Sequence, residues 1–265
     1  MSFNRVIELE GVHNFRDYGG YPVAGGGRLK RGILWRSGQH FGATDADLAT
    51  IESLGLASVF DLRTSHERNA HPCRRPDNFS AEIFFPEDPG VNRHAPHVAA
   101  ARSENPTKKR DAASTREGMR RNYHAIAFRP ELVNIMRTFL AELAEGRGPS
   151  LVNCMAGKDR TGIAVAMVHL ATGIHRDDVI EDYVLTNTAG DVEARIRAGA
   201  ESIRNMGGTM DEDVLRVVMG VEPEYLETAL DKIAEQHGSI EGYLEEVLGA
   251  DAVLRDRLKD ALSES

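Results

Sequence analysis

Residues 151–168 read LVNCMAGKDRTGIAVAMV, and this stretch decides the fold. Leu151 and Val152 lie in a short run of strand length, Ser150 to Asn153. Gly157 interrupts the chain, and an apolar helix begins at about Arg160 and stops at Gly173. A strand that hands over through a short loop to a helix lets the backbone N–H groups of Met155, Ala156 and Gly157 converge on one point, a nest for an anion. The positive end of the helix strengthens that site, which suits phosphate. The same field favours a thiolate, so Cys154 is the candidate nucleophile. Arg160 carries a planar fork able to hold two phosphoryl oxygens at once, which a lysine does not reproduce. Thr161 is expected to donate its hydroxyl to the Cys154 sulfur. A cysteine followed five residues later by an arginine is common by itself. The alternative, a structural cysteine before an ordinary helix, leaves Gly157, Arg160 and the strand–loop–helix order without a reason.

Working outward, Ile33 to Arg36 and Leu56 to Leu62 (LASVFDL) read as further strands, the second buried and ending at Asp61. Thr44 suits an N-cap, with Leu48, Ile51 and Leu54 at helical spacing and Gly55 as the stop. Helices are expected over 117–127 and, with Pro130 at the first position, over 130–144. The stretch 86–116 is polar, basic and broken by proline, and reads as a mobile loop or lid. From 175 to 265 the pattern is mostly helical, including HRDDVIEDYVLTN, 192–203, 224–236, 240–248 and 252–262. Strands alternating with helices indicate an α/β protein whose central, largely parallel sheet is flanked by helices, with a lid-like insertion and a helical C-terminal part. No linker or repeat divides 1–265, so one domain is expected.

Composition narrows the function. A net charge of -9 argues against nucleic acid, whose phosphates demand clustered positive charge. Two cysteines, Cys73 and Cys154, make neither a disulfide framework nor a zinc site. No signal peptide or spanning segment is legible, so the cytoplasm is expected without stable membrane insertion, and export by a route needing no signal peptide stays open. His94 and His97 read as loop histidines, because the chemistry at Cys154 needs no metal or other cofactor. Cys73, in HPCRRP, reads as an incidental thiol, with a disulfide to oxidised Cys154 as the other option.

CMAGKDRTG resembles the phosphate loop of the bacterial tyrosine-phosphatase-like family of atypical protein-tyrosine and dual-specificity phosphatases, which also hydrolyse phosphoinositides. NFRDYGG (14–20), RSG (36–38), VFDLRTSHE (59–67), IEDYVLTN (180–187), GVEPEYLETALDKI and GSIEGYLEEVLG agree with it in order. The resemblance implies dephosphorylation of phosphotyrosine, phosphoserine or phosphothreonine in proteins, or of phosphoinositides, through a phosphocysteine at Cys154. Arg160 would hold the phosphoryl group, phosphate and vanadate would be ligands, and Lys158 would contact acidic groups of the substrate. Such loops usually place His before the cysteine, whereas Asn153 donates a hydrogen bond but never becomes cationic.

A phosphatase needs a carboxylic acid to protonate the leaving oxygen. Asp61, at the carboxyl end of a strand and also indicated by the resemblance, is the first candidate, with Arg63 beside it as a substrate contact. Its alternative is a strand-end ion pair with Arg63. Asp159, inside the loop, is the second, and its alternative is a helix-start carboxylate. Glu87 and Asp88, on the long loop, are a third option. Arg16 and Asp17 are expected to pair beneath the site. Two rival functions remain: a phosphate-binding pseudophosphatase without turnover, and a rhodanese-like sulfurtransferase.

Overall fold

The computed structural model describes residues 5–87, 111–194, 196–197 and 211–265. Five strands form the main sheet: β1 (Arg16–Asp17), β3 (Leu34–Ser37), β4 (Ser58–Asp61), β5 (Glu82–Phe84) and β6 (Ser150–Asn153), in the order β1-β3-β6-β4-β5. Only β1 is antiparallel to its neighbour. A second, two-stranded sheet joins β2 (Arg28–Leu29) to β7 (Ser263–Glu264), tying the two ends of the chain together. The α/β architecture with a mostly parallel sheet is the one expected from sequence; the short strands β1, β2, β5 and β7 carry too few residues to have been legible there.

The period-2 alternation of the strands sorts their side chains between two cores. Trp35, Val59 and Leu151 share one row and pack with Val12, Phe15, Leu48 and Ile51 under α1 (Asp45–Ser53). Leu34, Phe60 and Val152 belong to the larger core on the other face. There Phe60 is stacked on Phe84 at 4.7 Å and meets Phe139 at 4.6 Å. That core draws residues from Tyr18 to Leu262.

The helices begin where cap residues dictate. Thr44 and Asp47 form a capping box at α1, as do Thr64 and Glu67 at α2 (Ser65–Ala70), a short helix that sequence reading passed over. Asp111 caps α3 (Ala112–Ile126), whose Ser114 N–H it accepts, so the helix starts five residues before its expected beginning at 117 and takes the end of the lid-like stretch. The segment 88–110, with Asp88, His94 and His97, lies outside the described residues, as does 198–203 of the expected 192–203 helix. Pro130 opens α4 (Pro130–Ala144). After β6 comes α5 (Asp159–Ala171), buried on every side, then α6 (Arg176–Val184) and the single turn α7 (Thr186–Ala189). Then follow α8 (Glu212–Met219), α9 (Pro223–His237), α10 (Ile240–Glu246) and α11 (Ala252–Leu262). Among the described residues no helix is long and apolar enough to cross a membrane.

Candidate active site

The parallel register brings Ser37, Asn153 and Asp61 side by side at the carboxyl ends of β3, β6 and β4. Cys154 is the next residue, buried with 3% of its surface exposed, and its loop runs from there to the start of α5. Gly157 turns the loop with φ +66°, and a Cβ there would stand 2.4 Å from the carbonyl carbon and oxygen of Ser37. Both the backbone angle and the space demand glycine. Two buried donors fix the Gly157 peptide by its carbonyl oxygen: Asn14 Nδ2 at 2.7 Å and Arg36 Nη2 at 3.0 Å.

Arg160 is held end-on. Nη1 and Nη2 donate to the two carboxylate oxygens of Glu67 at 2.7 and 2.9 Å, and Nη1 also donates to Leu62 O at 3.0 Å. Its Nε, buried, has no hydrogen-bond partner among the described residues. Burial opposes its charge, but electrostatic interaction with Cys154 and the hydrogen-bonded Glu67 carboxylate outweigh it and hold the guanidinium more firmly protonated than usual. For Glu67 burial likewise works against the charge, and Arg160 overcomes it, keeping the carboxyl below its ordinary range.

The two aspartates differ in surroundings. Asp61 places both oxygens on Arg63, with Nε at 2.8 Å and Nη2 at 2.6 Å, and accepts from Asn153 Nδ2 at 3.2 Å. Asp159, in the first turn of α5, accepts from Tyr123 Oη at 2.8 Å, and Tyr123 meets Tyr183 Oη at 2.6 Å.

Residues 7–264 match the model of the tyrosine phosphatase family. The chain belongs to that family. It is similar to the triple specificity protein phosphatase PtpB of Mycobacterium tuberculosis, 34% identical over 90% of this chain and 92% of that one. A putative tyrosine-protein phosphatase of Cupriavidus necator is 27% identical over 92% of this chain and 85% of its own length. Among solved structures, P. aeruginosa TpbA aligns at 18% identity over 75% of this chain and 96% of that one, with a TM-score of 0.34, too low to carry an argument. This phosphatase is accordingly a protein-tyrosine-phosphatase-like phosphoric monoester hydrolase.

Several side chains of the phosphatase stand elsewhere than sequence suggested. The Lys158 ammonium is buried, donates to Val218 O at 2.7 Å and Gly220 O at 3.1 Å at the end of α8, and lies 3.5 Å from Asp159 Oδ1. Arg63 is likewise committed, to Asp61, to His71 O at 2.6 Å and to Cys73 Sγ at 3.0 Å. Its hydrogen bonds thus run to the strand end and to the exit of α2. The hydroxyl of Thr161 is buried without a hydrogen-bond partner among the described residues, so the expected bond to Cys154 is absent here. Within the loop, Met155 O accepts from Gln39 N at 3.1 Å.

Arg16 does not pair with Asp17, whose carboxylate accepts from Gly19 N and Gly32 N. Arg16 and Arg36 both face Asp182 on α6, at 3.6 and 2.6 Å. Burial first, and then repulsion by Arg36, lowers the Arg16 pKa to about 9. Asp182 stays below its ordinary range because the two arginines outweigh its burial. The motifs at 14–20, 36–38 and 180–187 are therefore one network under the loop, ending on the Gly157 carbonyl. Glu67 was missed as a site residue, although T-x-x-E at 64–67 is a capping-box signature that would have placed it at a helix start beside the strand end.

Proposed function

We propose that this phosphatase works through a phosphocysteine. The observation that carries the reading is the Arg160 guanidinium, anchored end-on by Glu67 with its Nε edge unpartnered at the mouth of the Cys154 loop. In the first step the Cys154 thiolate attacks phosphorus, the P–S bond forms and the ester P–O bond breaks. The leaving oxygen takes a proton from a carboxylic acid. Arg160 and the loop N–H groups hold the three equatorial oxygens, where positioning and charge supply the catalysis. Water then attacks phosphorus with the same carboxylate as base, the thiolate leaves, and phosphate is released.

Asp159 is the better acid by position, at the junction of the loop with α5, where it accepts from a phenol and has the Lys158 ammonium 3.5 Å away. Asp61 spends both oxygens on a buried guanidinium, the ion pair that was its alternative reading, and is better understood as the group that orients Asn153 beneath Cys154. The substrate class we assign is phosphotyrosyl protein. Turnover of phosphoserine, phosphothreonine and phosphoinositides is the breadth to measure, motivated by the triple-specificity name of the mycobacterial relative.

Hydrolysis of para-nitrophenyl phosphate by wild type and Cys154→Ser tests the mechanism. Loss of turnover in the variant, with vanadate inhibition in wild type, is expected; wild type that binds vanadate without turnover would make the protein a pseudophosphatase. Comparing esters of different leaving-group pKa identifies the acid, because its Asn variant loses most rate on poor leaving groups. That pattern is expected for Asp159→Asn, and its appearance in Asp61→Asn alone would reverse the assignment.

A further inference from the structure

Three large hydrophobic side chains are exposed among the described residues, and two of them, Phe41 at 48% and Phe85 at 46%, stand at the carboxyl edge of the sheet with the Cys154 loop. Phe41 lies two residues beyond Gln39, whose N–H is bonded to Met155 O in the loop. Phe85 follows Phe84, the partner of Phe60, and so comes level with Asp61 and Asn153. Each exposed ring meets a cationic or ionisable group from α2 or its exit. The His71 ring meets Phe41 edge-on at 5.4 Å and 89°, and the Arg68 guanidinium lies 4.3 Å over Phe85. Glu67 on the same helix faces inward and grips Arg160. Helix α2 therefore ties the phosphate-holding arginine to the two ring pairs.

The charge here opposes that of the chain. Between Thr64 and Arg75 stand His66, Arg68, His71, Arg74 and Arg75, with Glu67 as the one acid, in a protein of net charge -9. Glu67 is buried against Arg160, and Arg74 pairs with Asp45. Arg68 and Arg75 lie over the rings of Phe85 and Phe79.

Resting on the phosphocysteine reading of the site, we propose that this rim is the recognition surface for an acidic phosphopeptide. Side chains flanking the phosphorylated residue lie on Phe41 and Phe85, and acidic ones face Arg68, His71 and Arg75. Size favours a peptide over a compact headgroup. The loop bearing Phe41 leaves β3 and Phe85 leaves β5, three strand intervals apart, on the order of 14 Å at about 4.8 Å each. Four or five extended residues span that distance. Half-exposed rings leave apolar surface in contact with water, and with the Arg68 guanidinium over one of them the rim suits a partner that is both apolar and anionic.

The test compares kcat/KM for a phosphotyrosyl decapeptide with acidic flanks, its Asn/Gln counterpart, a soluble inositol phosphate and para-nitrophenyl phosphate. Wild type is expected to prefer the acidic peptide over the neutral one about tenfold, and Arg68→Gln to reduce that preference severalfold. In Phe41→Ser/Phe85→Ser the ratio of peptide to para-nitrophenyl phosphate turnover is expected to fall about tenfold. Equal use of both peptides, or a double variant whose peptide ratio does not move, overturns the proposal; an inositol phosphate losing as much as the peptide assigns the rim to a headgroup and overturns it too. Absence of Cys154-dependent turnover in wild type defeats the mechanism instead. In that case binding of the two peptides to Cys154→Ser, with and without the rim substitutions, decides the rim by the same ratios.

Discussion

Replacing Glu67 by glutamine removes the charge that anchors Arg160 while keeping the size of the side chain. The pair is bidentate at 2.7 and 2.9 Å, with side chains only 8–9% exposed. Removing one partner of such a pair costs about 3–5 kcal/mol, because the remaining charge stays buried. Glutamine still offers one oxygen to the guanidinium or to Thr64 N–H, which Glu67 accepts at 2.8 Å, so the lower end, about 3 kcal/mol, is expected. For a domain of this size that lowers Tm by roughly 6–12 °C. The amide N–H₂ also faces the guanidinium as a second donor, turning the Nε edge away from the loop. Vanadate affinity should then weaken about ten- to a hundredfold, equivalent to about 1.4–2.8 kcal/mol. Thermal unfolding and a vanadate titration well below the variant's Tm measure the two effects separately. A lowered Tm with unchanged vanadate affinity would show that Glu67 supports α2 alone, and would refute the division of Arg160 into an anchored end and a ligand-facing edge.

Gly157→Ala places a methyl 2.4 Å from the Ser37 carbonyl at φ +66°, so it should abolish vanadate binding while far-UV circular dichroism keeps its helical content. Lys158→Met leaves two buried carbonyls at the end of α8 without their donor and should destabilise by about 2 kcal/mol, read by urea unfolding. KM for para-nitrophenyl phosphate should barely move, and a large rise would return Lys158 to the substrate. Stability should also fall as pH drops below about 6.5. Burial, followed by Arg75 and Arg63, holds the His40 imidazole well below its ordinary value, and burial lowers that of His169. The unfolded chain then binds protons that the fold refuses, and lower pH favours unfolding. Urea midpoints at about pH 7.5 and 5.5 should differ accordingly, and His40→Gln should narrow the gap.

By itself the sequence determined the features that depend on neighbouring residues. The strand–loop–helix around Cys154, the glycine turn at 157, the Thr44 cap of α1 and the long amphipathic helices all follow from local spacing and backbone preference. Tertiary structure decided what each charged side chain does. Lys158, Arg63 and Arg160 read alike as cations near a phosphate loop, yet one serves the carbonyls at the end of α8, one serves Asp61 and Cys73, and only Arg160 keeps a free edge. Arg16, next to Asp17 in the chain, instead faces Asp182 from across the fold. The physical reason is burial: a desolvated charge must find its partners wherever packing brings them, and while Arg63 finds Asp61 two residues away, the partners of Lys158, Arg160 and Arg16 stand sixty residues or more along the chain, beyond the reach of any local pattern.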